Sequence, residues 1–324
     1  MVTTIDPSAA RTRGPLVVEG RRRPARRPPA GRPTLLQRQD GGLFNIVNAI
    51  ILLAFALIIV VPVWNIVVSS LATGTDLSQG VALFPRHWTL ANYRQVLGDS
   101  SIWTAFGISV ARTVLGALSH VLFCAMVAFA MSKGFLRGRK VYSAMGIVTM
   151  FFGGGMIPTY LLIKSLGLID TFWVYIIPGL LAYFDVIILM NFFRGIPDSL
   201  DEAAKLDGAN HFQTFWKIFL PLSKPALATI ALFNGVGQWN DFYSPLLYIN
   251  SNTWLYPMQM KIYQIVVQFQ QSQVHGFNPN AASIVSSQGI QLATIVVTAL
   301  PIVIAYPFLQ KYFVGGMMIG AVKG

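Results

Sequence analysis

The sequence predicts an all-α membrane protein with six transmembrane helices. Of the 324 residues, 54% are hydrophobic and only 11% are charged, whereas a soluble domain carries about 25% charged residues. The mean hydropathy of +0.57 over the whole chain indicates many spans rather than a single anchor. A span needs roughly 20 apolar residues, and six segments meet or nearly meet that length: 44–70, 102–131, 142–163, 171–193, 225–249 and 288–311.

The distribution of cations among the loops predicts the orientation of the chain. The formal net charge is +12, yet nine of the 24 cations are arginines within the first 38 residues. If the N-terminus is cytoplasmic, the remaining inside segments carry ten cations and the outside loops carry four. The positive-inside rule therefore predicts that both termini are cytoplasmic. Nucleic acid is not an expected partner, because cations in the N-terminal tail and in short loops are the topology signal of a membrane protein.

Residues 1–42 differ in composition from the rest of the chain. They are rich in Arg, Pro and Gly and almost lack apolar side chains, so we predict a disordered basic cytoplasmic tail. Its charges would anchor the orientation and suit contact with anionic membrane lipid. A secretion signal is the alternative, but the apolar run 43–71 is too long for one. Residues 43–324 are the membrane domain, with external loops predicted at 71–101 and 250–287.

The loop 195–224 has more helix signals than a simple connector needs. Ser199 and Glu202 have the spacing of a capping box, and Asp201 suits the positive N-terminus of a helix. Gly208 can end that helix in the left-handed conformation. Small side chains at Ala203 and Ala204 would allow close approach of a partner.

A second short helix is predicted after this turn. Asn210 and Gln213 have capping spacing again, and Pro221 and Pro225 would end the helix before the next span. Four aromatic residues fall at i, i+3, i+4 and i+7 and predict one apolar face: Phe212, Phe215, Trp216 and Phe219. Two interpretations stay open: the loop docks on a partner, or it is an amphipathic helix on the membrane surface. A DNA-reading helix-turn-helix fits poorly, because the first helix is acidic.

Several polar groups lie inside the predicted spans and mark a candidate substrate path. An Arg at mid-span costs roughly 2.5–3.5 kcal/mol on insertion scales, so Arg112 should face a cavity or a partner. It either pairs with Asp185 or with carbonyl groups as a structural element, or it faces the path and attracts an anionic solute. Asp185 alone is more typical of a pairing group than of a proton relay. The polar set is Arg112, His120, Asp185, Asn191, Asn234, Gln238, Asn240 and Asp241.

Two local motifs belong to the same candidate path. Gly153, Gly154 and Gly155 precede Pro158 inside a predicted span, which predicts a helix break near a path or a helix interface; close helix packing through glycine is the alternative. Trp239, Asn240 and Asp241 combine an aromatic face with hydrogen-bonding groups, as sugar recognition requires. For Trp239, an aromatic residue at the membrane interface is the alternative.

Catalytic and metal-binding signatures are not found in the sequence. The four histidines lack metal-ligand spacing, and neither a Gly-x-Ser-x-Gly nor a Walker A pattern is present, so the chain is not expected to hydrolyse ATP or to bind a cofactor. Cys124 is the single cysteine. It lies in an apolar run and is expected to be a small buried hydrophobic residue.

A longer pattern in the loop resembles a known family. Glu202-Ala203-Ala204, Gly208 after three residues, and Ile218-x-Leu220-Pro221 after nine more resemble the EAA loop of permease subunits in binding-protein-dependent ABC importers. Other segments resemble the carbohydrate-uptake branch, and most closely permeases for oligosaccharides and uronate-containing sugars: Gly153–Tyr160, Gly167–Asp170, Gly237–Asp241 and Gly320–Gly324. The resemblance covers residues 43–324.

This resemblance implies a type I ABC importer permease of the bacterial inner membrane. Residues Ser199–Ala209 would form the coupling helix that docks on an ATPase subunit. The tail residues Gly320, Ala321, Val322, Lys323 and Gly324 would reach between two ATPase subunits, which carry ATP and Mg²⁺. A second, homologous permease subunit would complete the path, and an extracytoplasmic solute-binding protein would deliver a sugar or oligosaccharide, either neutral or anionic.

Two other functions are weighed against the importer. An ion-coupled secondary transporter would show inverted repeats and a carboxylate at its site, and no clear repeat is visible in the sequence. A membrane enzyme or scaffold would need a catalytic cluster, which the sequence lacks.

Overall fold

The computed structural model describes residues 42–80, 83–134, 136–274 and 285–321. The predicted basic tail lies outside the described residues except for Gly42, and so do Val322, Lys323, Gly324 and the middle of the second predicted external loop. The chain divides into two compact units, Met1–Leu57 and Ile58–Gly324, and the boundary falls inside the first helix. In the first unit, the described residues are the apolar first half of that helix.

Within the described ranges the regular elements are helices, together with one isolated antiparallel bridge between Ala72 and Trp88. The helices are α1 (Gly42–Ser70), α2 (Gly74–Gln79), α3 (Ala91–Gly98), α4 (Ser100–Ser132), α5 (Arg139–Phe151), α6 (Met156–Ser165), α7 (Tyr183–Arg194), α8 (Asp198–Leu206), α9 (His211–Thr214), α10 (Leu220–Leu222), α11 (Lys224–Asn240), α12 (Tyr243–Tyr248), α13 (Met258–Val274) and α14 (Ser287–Ala321).

Helices that could cross a membrane number three to six among the described residues. Three are single helices: α1 from Phe44, α4, and the part of α14 from Ser287 to Ile304. Three more arise if each bent helix pair counts as one span: α5 with α6, Phe172–Gly179 with α7, and His211–Leu222 with α11, bent by 117°, 51° and 81°. The all-helical class is thus confirmed, and the described residues provide the six predicted spans if each bent pair counts as one span.

The fifth predicted span, 225–249, is not one continuous helix. Helix α11 ends at Asn240, and α12 begins only at Tyr243. Asp241, between them, has an extended backbone conformation with φ −77° and ψ 114°. The apolar composition of the segment hides this break, because a polar residue at a helix end leaves mean hydropathy almost unchanged.

The glycine triplet breaks the third predicted span. Helix α5 stops at Phe151 and α6 starts at Met156. Gly155 has φ 85° and ψ 167°, a region that is essentially restricted to glycine. A Cβ built at Gly153 or Gly154 would meet no atom within 4 Å, so these two residues do not pack closely against another described helix of this chain. Close packing occurs instead at Gly146, where an added Cβ would lie 2.3 Å from the Tyr183 ring.

Helix α4 is the centre of the packing in the second unit. It packs most extensively against α11 and α7. The side chains of Cys124, Ala125 and Ala128 on α4 are fully buried, and this confirms the expectation for Cys124. Small residues on α4 allow the neighbouring helices to approach closely. The core at this end is completed by Val186, Leu189, Phe193, Phe215, Phe219 and Ile230.

Gly155→Ala should lower the stability of the protein. A Cβ at this backbone conformation costs about 1–3 kcal/mol, whereas Gly153→Ala adds a methyl group into open space at an ordinary φ. We expect a lower thermal unfolding midpoint for purified Gly155→Ala in detergent and an unchanged midpoint for Gly153→Ala. Equal midpoints for the two variants would contradict the assignment of the break to Gly155.

Candidate functional site

Helix α8 of the loop begins earlier than the capping pattern predicts. It starts at Asp198, with Pro197 at the N-cap position and no side-chain cap. The predicted capping box of Ser199 with Glu202 is therefore wrong. Pro197 fixes its own φ near −57° and leaves Ser199 inside the first turn, where its hydroxyl is not placed to cap. Acidic Asp198 and Asp201 occupy this turn and suit the positive end of the helix.

The C-terminal end of α8 forms as the sequence predicts. Gly208 has a left-handed φ of 79°. Its N–H donates to the Lys205 carbonyl at 3.0 Å, and the Ala209 N–H donates to the Ala204 carbonyl at 2.8 Å. These two bonds are those of a Schellman motif, so Gly208 sets the direction in which the chain leaves the helix.

One face of α8 is turned away from the rest of the chain. Glu202, Ala203 and Asp207 are exposed, and Leu206 is 89% exposed. Ala204 is buried, so only Ala203 of the predicted small pair is available for a partner. Exposed acidic, small and apolar groups therefore form a free surface on the described part of the loop.

The second helix of the loop has two faces rather than one. Its capping box is confirmed: Gln213 N–H donates to Asn210 Oδ1 at 2.8 Å, and Asn210 N–H donates to Gln213 Oε1 at 2.9 Å. The single aromatic face is wrong, since Phe215 and Phe219 are buried while Phe212 and Trp216 are exposed. A π-helical turn at Phe215–Phe219 adds residues to that turn and ends the 3.6-residue periodicity.

Lys133, at the end of α4, joins α8 to the core. Its Nζ lies 2.8 Å from Asp201 Oδ2 and 4.2 Å and 4.9 Å from the ring centroids of Phe219 and Phe129. A cation over aromatic faces that also meets a carboxylate is held at several points. We call Lys133, Asp201, Phe129 and Phe219 the lysine joint.

Asp201 is ionised within this joint. Burial alone would raise its pKa, but the Lys133 ammonium and the Lys205 ammonium, which is 3.0 Å away, hold the pKa of Asp201 below its ordinary value. In the sequence, Lys133 is only one of the cations that predict the cytoplasmic side of the chain. Its role depends on a contact between residues far apart in the chain, for which the sequence carries no local signal.

Arg112 is fully enclosed by protein groups. Its Nη2 lies 2.6 Å from Asp241 Oδ2 and 3.0 Å from Gln238 Oε1, and its Nη1 donates to the Asp241 carbonyl at 3.1 Å. The Tyr175 ring covers the guanidinium at 4.2 Å. We call Arg112, Tyr175, Gln238 and Asp241 the arginine cluster. A pairing of Arg112 with Asp185 is wrong, whereas pairing with a backbone carbonyl is confirmed.

Asp185 pairs with His120 instead. His120 Nε2 lies 2.9 Å from Asp185 Oδ2, and Nδ1 lies 2.7 Å from the Gly179 carbonyl oxygen. A carbonyl oxygen can only accept, so Nδ1 carries a proton. One further proton lies between Nε2 and the carboxylate. His120 was part of the polar set in the sequence but had no assigned partner.

A cavity of about 550 Å³ gathers most of these groups. It brings together Arg112, Asp185, Gln238 and Asp241 of the predicted polar set, and Asn234 of the same set also lines it. Gly154 and Asn240 do not line it. Trp239 is buried in the core, stacks edge-on against Phe106 and donates to the Thr298 carbonyl. The prediction that Trp239 offers a sugar-binding face is therefore wrong. Further lining residues are Val174, Tyr175, Pro178, Gly179, Phe233, Gly237 and Ser244.

Two loops at the opposite end of the spans from α8 are tied by one carboxylate. Asp170 Oδ1 accepts the backbone N–H groups of Asn250, Ser251 and Asn252 at 2.6, 2.8 and 3.2 Å. These bonds, that from Ser251 foremost, outweigh desolvation and lower the pKa of Asp170. Its own φ is 57°, an uncommon value for a residue other than glycine. The Gly167–Asp170 motif therefore fixes a loop surface at this end.

The last predicted site, at the C-terminus, is only partly described. Gly320 and Ala321 are the last two residues of α14. Val322, Lys323 and Gly324 lie outside the described residues, so the predicted contact of this tail with ATPase subunits stays a prediction.

Known proteins resemble this chain over most of its length. Protein LplC of Bacillus subtilis (strain 168) is 40% identical over 292 residues, which cover 90% of this chain and 98% of LplC. The polygalacturonan/rhamnogalacturonan transport system permease protein YtcP of the same organism is 39% identical, covering 87% of this chain and 99% of YtcP. A crystal structure of a bacterial ABC transporter involved in the import of the acidic polysaccharide alginate contains a chain with 33% identity and a TM-score of 0.76, covering 84% and 96%.

A family model gives the same result as these relatives. The model for the binding-protein-dependent transport system inner membrane component matches residues 104–318. The type I ABC importer permease fold predicted from the loop motif is confirmed by this match and by the solved structure. The chain belongs to the family of inner membrane components of binding-protein-dependent transport systems.

Proposed function

We propose that this chain is the membrane-spanning permease subunit of an ATP-driven ABC importer for a sugar or oligosaccharide. The observation that carries the proposal is α8, a short helix with an exposed acidic and small-residue face and a defined end at Gly208. The lysine joint fixes this helix to the core. A surface that is free on one side and anchored on the other suits transmission of force from a docked ATPase.

The substrate class follows from relatives of this chain. One has a name that specifies transport of polygalacturonan or rhamnogalacturonan, and a solved relative imports alginate. Both polymers are acidic, so a uronate-containing oligosaccharide is the first substrate to test. A neutral oligosaccharide is the second.

The full importer would contain several further subunits. A second homologous permease completes the path, two cytoplasmic ATPase subunits dock at the α8 face and near the C-terminus, and a solute-binding protein docks at the loops tied by Asp170. ATP and Mg²⁺ are bound by the ATPase subunits, and this chain binds no cofactor and catalyses no reaction. The chain lies in the inner membrane with both termini cytoplasmic, as the positive-inside rule requires.

Transport proceeds by alternating access. Closure of the ATPase subunits draws the two coupling helices together, and the lysine joint passes this movement to α4. The two permeases then rock as rigid bodies and open the path outward, where the binding protein releases its sugar. ATP hydrolysis restores the inward-facing state.

An ion-coupled secondary transporter is the second candidate function. The His120–Asp185 pair beside the cavity favours it, because such a pair can hold a shared proton. A secondary transporter, however, would give the anchored, exposed helix α8 no role. Uptake that depends on a proton gradient and continues without ATP would establish this alternative.

The direct test of the proposed function is purification of the chain in detergent from its native membrane. We expect two ATPase subunits and a second permease to co-purify, and the binding protein loaded with digalacturonate or a neutral galactobiose to stimulate ATP hydrolysis. A chain that purifies alone and transports solute in proteoliposomes without ATP would contradict the proposal.

Gly208→Val should abolish transport while the protein still inserts into the membrane. A β-branched residue is strained at φ 79°, so the end of α8 and the exposed coupling face move. We expect loss of ATP-dependent uptake and of solute-stimulated ATPase activity in proteoliposomes. The matched control is Gly134→Val, which adds the same side chain in open space at an ordinary φ on the same side of the membrane. Normal uptake by Gly208→Val would remove the basis for docking at α8.

Lys133→Met should uncouple ATP hydrolysis from uptake. Methionine keeps most of the apolar contact with the Phe129 and Phe219 rings but removes the charge that holds Asp201. We expect uptake to fall about tenfold while the subunits stay assembled and basal ATPase activity persists. The control Lys140→Met removes an exposed lysine of α5 and should leave both activities unchanged. Equal uptake by the two variants would show that the lysine joint does not transmit movement.

A further inference from the structure

Acidic and basic side chains both occur at the polar wall of the cavity, but the acidic ones are much more exposed. Arg112 lines the cavity and His120 lies behind Asp185, and the side chains of these two basic residues are only 2% and 3% exposed. The carboxylates that pair with them, Asp241 and Asp185, are 25% and 23% exposed. The wall therefore offers acceptor oxygens to a ligand and keeps its positive charges behind them.

We propose that this cavity is a subsite for the hydroxyl groups of the transported sugar and that it excludes the carboxylate of an acidic sugar. Asp185 is the main hydrogen-bond acceptor for the hydroxyls. The proposal rests on the proposed sugar importer and specifies how this subunit contacts the sugar.

The arginine cluster already engages four of the five N–H donors of Arg112, and the side chain of Arg112 is only 2% exposed. Each terminal nitrogen of Arg112 already donates to Asp241 or Gln238, and Nε donates to Gln238 Oε1 at 3.2 Å. The Tyr175 ring covers one face of the guanidinium. A solute carboxylate would have to displace Asp241, whose other oxygen accepts the Tyr243 and Ser244 N–H groups at the start of α12. Binding of an anion by Arg112 would therefore disturb the Asp241 contacts that hold the junction between α11 and α12.

His120 positions Asp185 for this role. Its Nδ1 is fixed on the Gly179 carbonyl, and its Nε2 engages only Oδ2 of the carboxylate. Oδ1 of Asp185 has no hydrogen bond among those found in the described residues, and Asp185 lines the cavity. A carboxylate oxygen accepts hydrogen bonds and cannot donate them, so it suits a sugar hydroxyl and repels a second carboxylate.

The size and charge of the cavity agree with a neutral polar ligand. Its volume of about 550 Å³ lies within the range of roughly 300–1,000 Å³ for small-molecule sites. Each of the two carboxylates contacts a buried basic side chain, Arg112 or His120, so the site has no unpaired carboxylate that would favour a free cation. The Asn234 amide and the Ser244 side chain add hydrogen-bonding groups at the same wall.

Thiol labelling of a reporter in the cavity tests this charge pattern directly. Ser244→Cys, in a Cys124→Ala background, places a thiol of nearly the same size as the serine side chain on the cavity wall. The assembled importer in nanodiscs is treated with a neutral and with an anionic methanethiosulfonate reagent. Ser165→Cys, on the exposed face of α6, corrects for the intrinsic rates of the two reagents.

We expect the anionic reagent to react about tenfold more slowly than the neutral one at the reporter, after this correction. Galactobiose should protect the thiol better than digalacturonate does. An anionic reagent that reacts as fast as the neutral one or faster, or stronger protection by digalacturonate, would overturn the proposal. This result is independent of whether uptake requires ATP, so it separates the subsite from the proposed function.

Asp185→Asn adds a second readout. It should raise the relative rate of the anionic reagent at the reporter and reduce ATP-dependent uptake of galactobiose or digalacturonate at least tenfold, mainly through KM. Unchanged reagent rates and unchanged uptake in a folded Asp185→Asn importer would contradict the role of Asp185. If this variant does not fold, the proposal is tested by the ratio of the two reagent rates at the Ser244→Cys thiol, measured with Asp185 intact.

Discussion

The need to neutralise Arg112 inside the membrane domain is the constraint on which the rest of the structure depends. A buried guanidinium is tolerated only if its charge is paired and most of its N–H donors have acceptors. Asp241 and Gln238 meet this need only because α11 ends at Asn240 and exposes a carbonyl and a carboxylate to the same arginine. Arg112 therefore links three features: the break between α11 and α12, the position of Tyr175 and the packing of α4.

Helix α4 connects this arrangement to the coupling end of the molecule. Arg112 lies near its middle and Lys133 caps its end, about 30 Å away at about 1.5 Å per residue. At the end of α4 the lysine joint holds α8, and near its middle the arginine cluster fixes the broken helix beside the cavity. A movement of α8 that α4 follows as a rigid body would reach the cavity walls. The geometry thus supplies a continuous path between two distant sites, whose energetic coupling only variants can measure.

Local signals in the sequence predicted the elements whose chemistry is local. Gly208, the Asn210 cap and the apolar lengths of α1 and α4 are set by residues within a few positions of one another. Pairings between distant residues, such as Lys133 with Asp201 and His120 with Asp185, carry no such signal. Composition also could not distinguish a buried Trp239 from one that faces a path, nor reveal that Pro197 displaces the cap from Ser199. The single aromatic face was predicted from a regular 3.6-residue period, which the π-helical turn at Phe215–Phe219 does not follow.

A structure of the assembled importer with digalacturonate in its path tests the central claim most directly. We expect Arg112 to remain in contact with Asp241 and Gln238, and hydroxyl groups of the sugar, rather than its carboxylates, to lie within hydrogen-bond distance of Asp185. A structure in which Arg112 has left Asp241 and binds a carboxylate of the sugar would contradict it.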